Sequence, residues 1–131
     1  LKPNFVLAYK NRGESYFDLG EYQRAVADFD HAIRLNPEYI GAYNLRGFTY
    51  TILRNFEYAM GDYEKAISLG DDSGGAYYGR AGVYTFWGED TKAAEDIDRA
   101  VELGLDLTGI EEHIEFIKKI LINIIMLKKY L

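Results

Sequence analysis

Apolar and small residues recur along this chain at the three-and-four spacing of a helix face, and the runs are cut by Gly and Pro instead of fading out. Ala8, Tyr9, Gly13, Tyr16 and Leu19 form one such face, which Gly20 stops with a left-handed turn. A second face runs through Ala25, Phe29, Ala32, Ile33 and Leu35, and Pro37 forbids its continuation. Displacing the chain by 34 residues lays Tyr9 on Tyr43 and Tyr77, Tyr16 on Tyr50 and Tyr84, Ala25 on Ala59 and Ala93, and Ala32 on Ala66 and Ala100, with no insertion. The pattern predicts three copies of one helix pair, with small residues where the two backbones approach and aromatics around them.

A helix pair of this size cannot hide its apolar faces within itself, so successive copies are predicted to lie against one another. The hairpins occupy 6–39, 40–73 and 74–107. Leu1, Pro3 and Asn4 stand 34 residues ahead of Leu35, Pro37 and Glu38, so 1–5 reads as the tail of a preceding, truncated repeat. Beyond Leu107 the period fails, because it would put Glu115 in the Gly column and Lys118 in the Tyr column. A separate helix over 108–131 is predicted to start on Thr108 and Glu111 in capping-box spacing. The third hairpin is the softest by sequence: Asp71, Asp72, Ser73, Gly74 and Gly75 replace the Pro-containing corner, and Gly79 and Gly82 fall inside its first helix.

An aromatic, a Gly four residues on, a Tyr three later, then Ala, an aromatic, Ala and Pro: this order, carried by Tyr9, Gly13, Tyr16, Ala25, Phe29, Ala32 and Pro37, resembles the tetratricopeptide repeat. The second copy departs with Asp71 in place of Pro, and the third with Ala81 for Gly, Ile97 for the second aromatic and Leu105 for Pro. The resemblance covers residues 6–107 and implies an all-α solenoid of three helix hairpins wound as a right-handed superhelix, with the 108–131 helix capping its end. It also implies a non-catalytic protein-interaction module that binds a peptide or partner segment on the inner side, along the first helix of each pair. By helical spacing that groove is lined by Lys10, Glu14 and Phe17, by Asn44, Phe48 and Thr51, and by Tyr78 and Thr85, with Leu7, Gly82, Asp18, Ile52 and Phe86 completing or flanking it. Some relatives grip a peptide's terminal carboxylate with Lys, Asn and Arg. Of those positions only Lys10 fits here, and Glu14, Leu45, Gly75 and Gly79 stand in the other places, which argues against a chaperone-tail ligand and for apolar and aromatic contacts.

The family often carries Leu just before the first Gly. This chain has Arg12, Arg46 and Arg80 there, each followed sixteen residues later by Asp28, Asp62 and Asp96. Three such pairs predict a partly buried ion pair inside every hairpin. The rival reading, a ladder of arginines for an acidic ligand, is weaker because each Arg already has a matching acid.

Composition narrows the chemistry. Fifteen basic against 21 acidic residues give a net charge of −6, the wrong sign for neutralising phosphates, so nucleic acid is excluded as a partner class. The chain has no Cys, and His31 and His113 stand alone, which leaves no metal site and no cofactor to expect. Acids such as Asp30, Glu64 and Asp98 recur on solvated second-helix faces, and no nucleophile-and-base set or phosphate loop is visible, so an enzyme is not expected.

In the last helix Ile110, Ile114, Ile117, Leu121 and Ile124 form one stripe and Phe116, Ile120, Leu127 and Leu131 a second. One stripe is predicted to close the stack. Two are more than a cap needs, and the stretch from Leu121 to Leu127 is apolar nearly all round, so Leu121, Ile125, Leu127 and Leu131 are left for self-association and the alternative function is a homo-oligomerisation element. A membrane surface ranks last, since Asn123 interrupts the apolar run, and the reading points to a cytoplasmic chain.

Overall fold

A computed structural model describes residues 3–130, with side chains at 5–109, 112, 116 and 119–130. Leu1, Lys2 and Leu131 lie outside the described residues, as do the side chains of Pro3, Asn4, Ile110, Glu111, His113, Ile114, Glu115, Ile117 and Lys118. The described residues form seven helices and no strand: α1 (Pro3–Asp18), α2 (Tyr22–Leu35), α3 (Ile40–Ile52), α4 (Phe56–Ser68), α5 (Gly75–Phe86), α6 (Asp90–Glu102) and α7 (Thr108–Tyr130). The fold is an all-α solenoid.

Five helices, α1 and α3 to α6, end on one repeated device, whereas α2 ends at an extended Asn36 before Pro37. After α1 the amide of Glu21 donates to the Tyr16 carbonyl and that of Gly20 to Phe17, with Gly20 left-handed at φ +76°; together they satisfy carbonyls the helix leaves open. The same pair of bonds closes α4 at Gly70, α5 at Gly88 and α6 at Gly104. It closes α3 at Arg54, a non-glycine residue held at φ +61°.

α1 packs on α2, α3 on α4 and α5 on α6; contacts of α2 with α3 and of α4 with α5 join the hairpins, and α1, α3 and α5 meet in succession along one side. Close approach depends on glycine at two crossings. A Cβ on Gly13 would stand 2.6 Å from the Phe29 ring, and one on Gly47 would stand 2.9 Å from Tyr63. The largest buried cluster gathers Tyr43, Ala59, Met60, Tyr63, Ala66, Ala76 and Val83, so the core is centred on the second hairpin and its seam with the third. A smaller cluster of Val6, Ala32 and Ala42 seals the seam between the first and second.

The lid role expected of α7 rests on Ile110, Ile114 and Ile117, whose side chains lie outside the described residues. Among the described residues no contact joins α7 to another helix, and Leu121 and Ile124 of the capping stripe are exposed along with Ile125, Leu127 and Tyr130. Glu111 of the expected capping box has its side chain outside the described residues, and the turn before it is described. The Thr108 amide and hydroxyl both donate to the Asp106 carboxylate, at 3.0 and 2.6 Å, so Asp106 organises the turn and the threonine hydroxyl points back to it. No helix among the described residues is long and apolar enough to cross a membrane.

Candidate functional site

The arginine column stands at the hairpin crossings. Arg12 forks onto Asp28 at 2.8 and 2.7 Å, Arg46 onto Asp62 at 2.8 and 2.6 Å, and Arg80 onto Asp96 at 2.8 and 2.8 Å. The three aspartates are buried, unlike the other acids of the second helices, because a bidentate guanidinium replaces the water they lose. Each guanidinium also lies over two tyrosine rings of its own helix: Arg12 over Tyr9 and Tyr16, Arg46 over Tyr43 and Tyr50, Arg80 over Tyr77 and Tyr84, at 5.5 to 5.9 Å. The repeating tyrosines thus hold the arginines that hold the aspartates.

Arg46 has a further partner, donating from Nη1 to Asp30 of the preceding hairpin at 2.7 Å. The signal was present in the chain, since Asp30 precedes Arg46 by the same sixteen residues that separate Arg12 from Asp28. Burial pushes the Asp62 carboxyl up against the pull of Arg46, with Asp30 adding to the rise.

On the side formed by α1, α3 and α5, Glu14, Phe17, Asp18, Leu45 and Phe48 line a shallow open depression of about 460 Å³. The Phe17 and Phe48 rings meet at 5.5 Å across the seam between hairpins, and Phe48 remains half exposed. Of the groove residues expected from spacing, Glu14, Phe17 and Phe48 come together here, and Tyr78 stands exposed further along on α5.

The remaining four are engaged locally. Lys10 donates to Glu14 at 2.8 Å, and that bond raises its pKa. The Asn44 amide donates to Asp71 at 3.1 Å, while its buried oxygen has no hydrogen-bond partner among the described residues. Thr51 turns away from the groove, because its hydroxyl donates to the Gly47 carbonyl and sits 3.2 Å from the buried Tyr63 hydroxyl, whose pKa burial pushes up to about 12. The Thr85 hydroxyl donates to the Ala81 carbonyl of its own helix.

Asp71 was the least foreseeable participant. Standing where the first repeat has Pro37, it accepts from Asn44, from the Ser73 amide and hydroxyl, and from the Ala76 amide at 2.8 Å. A side-chain acceptor therefore fixes the start of α5 where a proline would have fixed the turn. Burial alone would raise its pKa, but those bonds hold the carboxyl below the ordinary range.

The carboxylate-grip positions can be read directly. Lys10 is already paired with Glu14, and a Cβ on Gly79 would lie 2.3 Å from the Tyr63 ring, so no side chain fits there unless that ring moves.

Sequence models described as tetratricopeptide repeat match residues 6–39 and 40–69. A search of curated proteins finds no match. Among solved structures, the second tetratricopeptide domain of Spaghetti (RPAP3), bound to the HSP90 peptide SRMEEVD, is 26% identical. It covers 75% of this chain and 91% of that one, with a TM-score of 0.72. The second such domain of human RPAP3, in complex with the HSP70 peptide SGPTIEEVD, is 25% identical over 76% and 83%, at 0.71. MamA is 30% identical over 75% of this chain and 57% of its own, at 0.70. With two consecutive repeats matched by the family's own models and its hairpin stack shared with solved relatives, this chain belongs to the tetratricopeptide repeat family.

Proposed function

We propose that this chain is a non-catalytic protein-interaction module that binds an apolar or aromatic peptide segment along α1, α3 and α5. The observation that carries the reading is the Phe17–Phe48 pair, which spans the seam between hairpins and lines an open depression instead of a closed core. Half-exposed aromatics backed by a rigid hairpin stack lose little freedom on contact, which suits them to anchor a ligand. The relatives in complex with HSP90 and HSP70 peptides support a peptide ligand in general. Their acidic tails do not suit this groove, where Glu14 and Asp18 line the depression and Lys10 is spoken for.

Selection from a random peptide library on the immobilised chain tests the proposal. Enriched sequences should be apolar and aromatic, and their binding should be lost with Phe48→Ala and Tyr78→Ala but kept with Ile125→Glu and Leu127→Glu. Enrichment insensitive to Phe48 and Tyr78, or none, sinks the groove reading. A labelled SRMEEVD peptide should show no saturable binding in fluorescence polarisation.

A second reading is favoured by one observation. From Phe116 to Tyr130 every described side chain of α7 is exposed, including Ile122, Ile125 and Leu127 at 59, 65 and 63%. Apolar surface on that scale marks an interface, which supports homo-oligomerisation through this helix.

A further inference from the structure

Resting on the groove reading above, we infer that the groove and α7 are two halves of one interaction: the 116–131 segment of a second copy docks along α1, α3 and α5 of the first. The argument begins with charge. Residues 1–107 contain eighteen acids and eleven bases, whereas 116–131 contains four lysines, Lys118, Lys119, Lys128 and Lys129, and no acid. The groove depression keeps this contrast at one point: of its two acids Glu14 is paired with Lys10, which leaves Asp18. Asp18 forms no ion pair among the described residues, so it is open to an incoming ammonium.

Apolar chemistry is complementary as well. The groove offers Phe17, Leu45 and Phe48, and α7 offers Ile122, Ile125 and Met126 on one face between its lysine pairs. Size agrees. A helix of fifteen residues is roughly 22 Å long, and two successive helix spacings from α1 through α3 to α5 come to roughly 16–20 Å. An apolar helix laid into a helical groove is an established mode of recognition, and a lysine pair at one end of the segment can meet Asp18 at the rim. Helix-to-helix pairing of two α7 segments would instead bring like-charged lysine pairs together and leave the groove aromatics half exposed.

The pairing is heterologous, so it can be tested by complementation with the full chain. Sedimentation velocity over a concentration series should show association for the natural sequence, weakened by salt. The groove variant Phe48→Ala and the helix variant Ile125→Glu with Leu127→Glu should each weaken self-association by about tenfold or more. Mixed together, the two variants should recover a complex, because the intact helix of one meets the intact groove of the other. Asp18→Lys and Lys128→Glu with Lys129→Glu should each weaken association, and a chain carrying all three should regain part of it. Circular dichroism of every variant checks that helix content is unchanged, as expected for exposed positions.

Association that survives Phe48→Ala but not the helix variant assigns the contact to paired α7 helices and overturns the inference. So does a natural chain that stays monomeric at all concentrations, whether α7 is idle or prefers anionic vesicles. In that case Phe48-dependent capture of library peptides would still leave the groove reading standing. Loss of both would remove the two together.

Discussion

Arg46 carries carboxylates from two hairpins, Asp62 within its own and Asp30 from the one before, and only a fifth of its side chain is exposed. Replacing it with Ala leaves Asp62 buried without a counter-charge, and such a loss costs about 3–5 kcal/mol. Arg12→Ala should cost distinctly less, because that side chain is 59% exposed and water can take its place at Asp28. Urea unfolding of the two variants side by side measures the difference, and equal losses would contradict the bridging role. Asp71 and Asp62 respond to acid with opposite signs. The folded pKa of Asp71 is depressed, so its contribution is present above the unfolded value of about 3.9 and is lost as pH falls through the folded one. Asp62 is raised, so its ionisation opposes folding and stability falls as pH rises from about 3.9 through its folded value. Asp71→Asn should therefore lower stability at neutral pH and also flatten the acid limb of the stability profile; a variant with an unchanged acid limb would show that the corner bonds are not the cause. The ladder was legible because sixteen-residue spacing repeats three times. The Asp71 corner was not, because nothing in a linear pattern tells a side-chain acceptor reaching Asn44 from an ordinary polar loop.

Helix existence followed from periodicity, while the quality of each helix depends on what its neighbours permit. α5 shows the difference in its two internal glycines. Gly82 has nothing within 4 Å of where a Cβ would stand, so Gly82→Ala should gain about 1 kcal/mol from helix propensity alone. A Cβ on Gly79 would stand 2.3 Å from the Tyr63 ring, so Gly79→Ala should destabilise despite the same propensity gain. From sequence the two look equally soft; only the course of α4 beside α5 separates them. Thermal unfolding of the pair tests this, and a stabilised Gly79→Ala would mean that the ring moves at no cost. The lid role of α7 turns on Ile110, Ile114 and Ile117, whose side chains lie outside the described residues, while the far half of the helix is exposed. Amphipathic stripes reveal that a face must be covered, but they do not name the covering surface.

Because each hairpin touches only its neighbours, stability in a stack of this kind is a sum of local pieces joined at seams, and it need not be uniform. The larger buried cluster lies in the second hairpin and its seam with the third, and the ion bridge from Arg46 to Asp30 ties the same hairpin to the first. The second hairpin is therefore held from both sides, while the first and third each have one covered flank and α7 has none among the described residues. Amide hydrogen exchange reads this directly, since protection follows the free energy of local opening. Under dilute conditions, protection should peak in α3 and α4, fall toward α1 and α6, and be lowest in α7. Raising the protein concentration should then slow exchange in α7 and along α1, α3 and α5 together if a second copy covers both surfaces, because binding stabilises only what it contacts. Slowing confined to α7 would place the contact between the helices themselves. A profile flat from α1 to α7 would mean that the hairpins and the last helix open as one unit, against the seam-by-seam account of the fold.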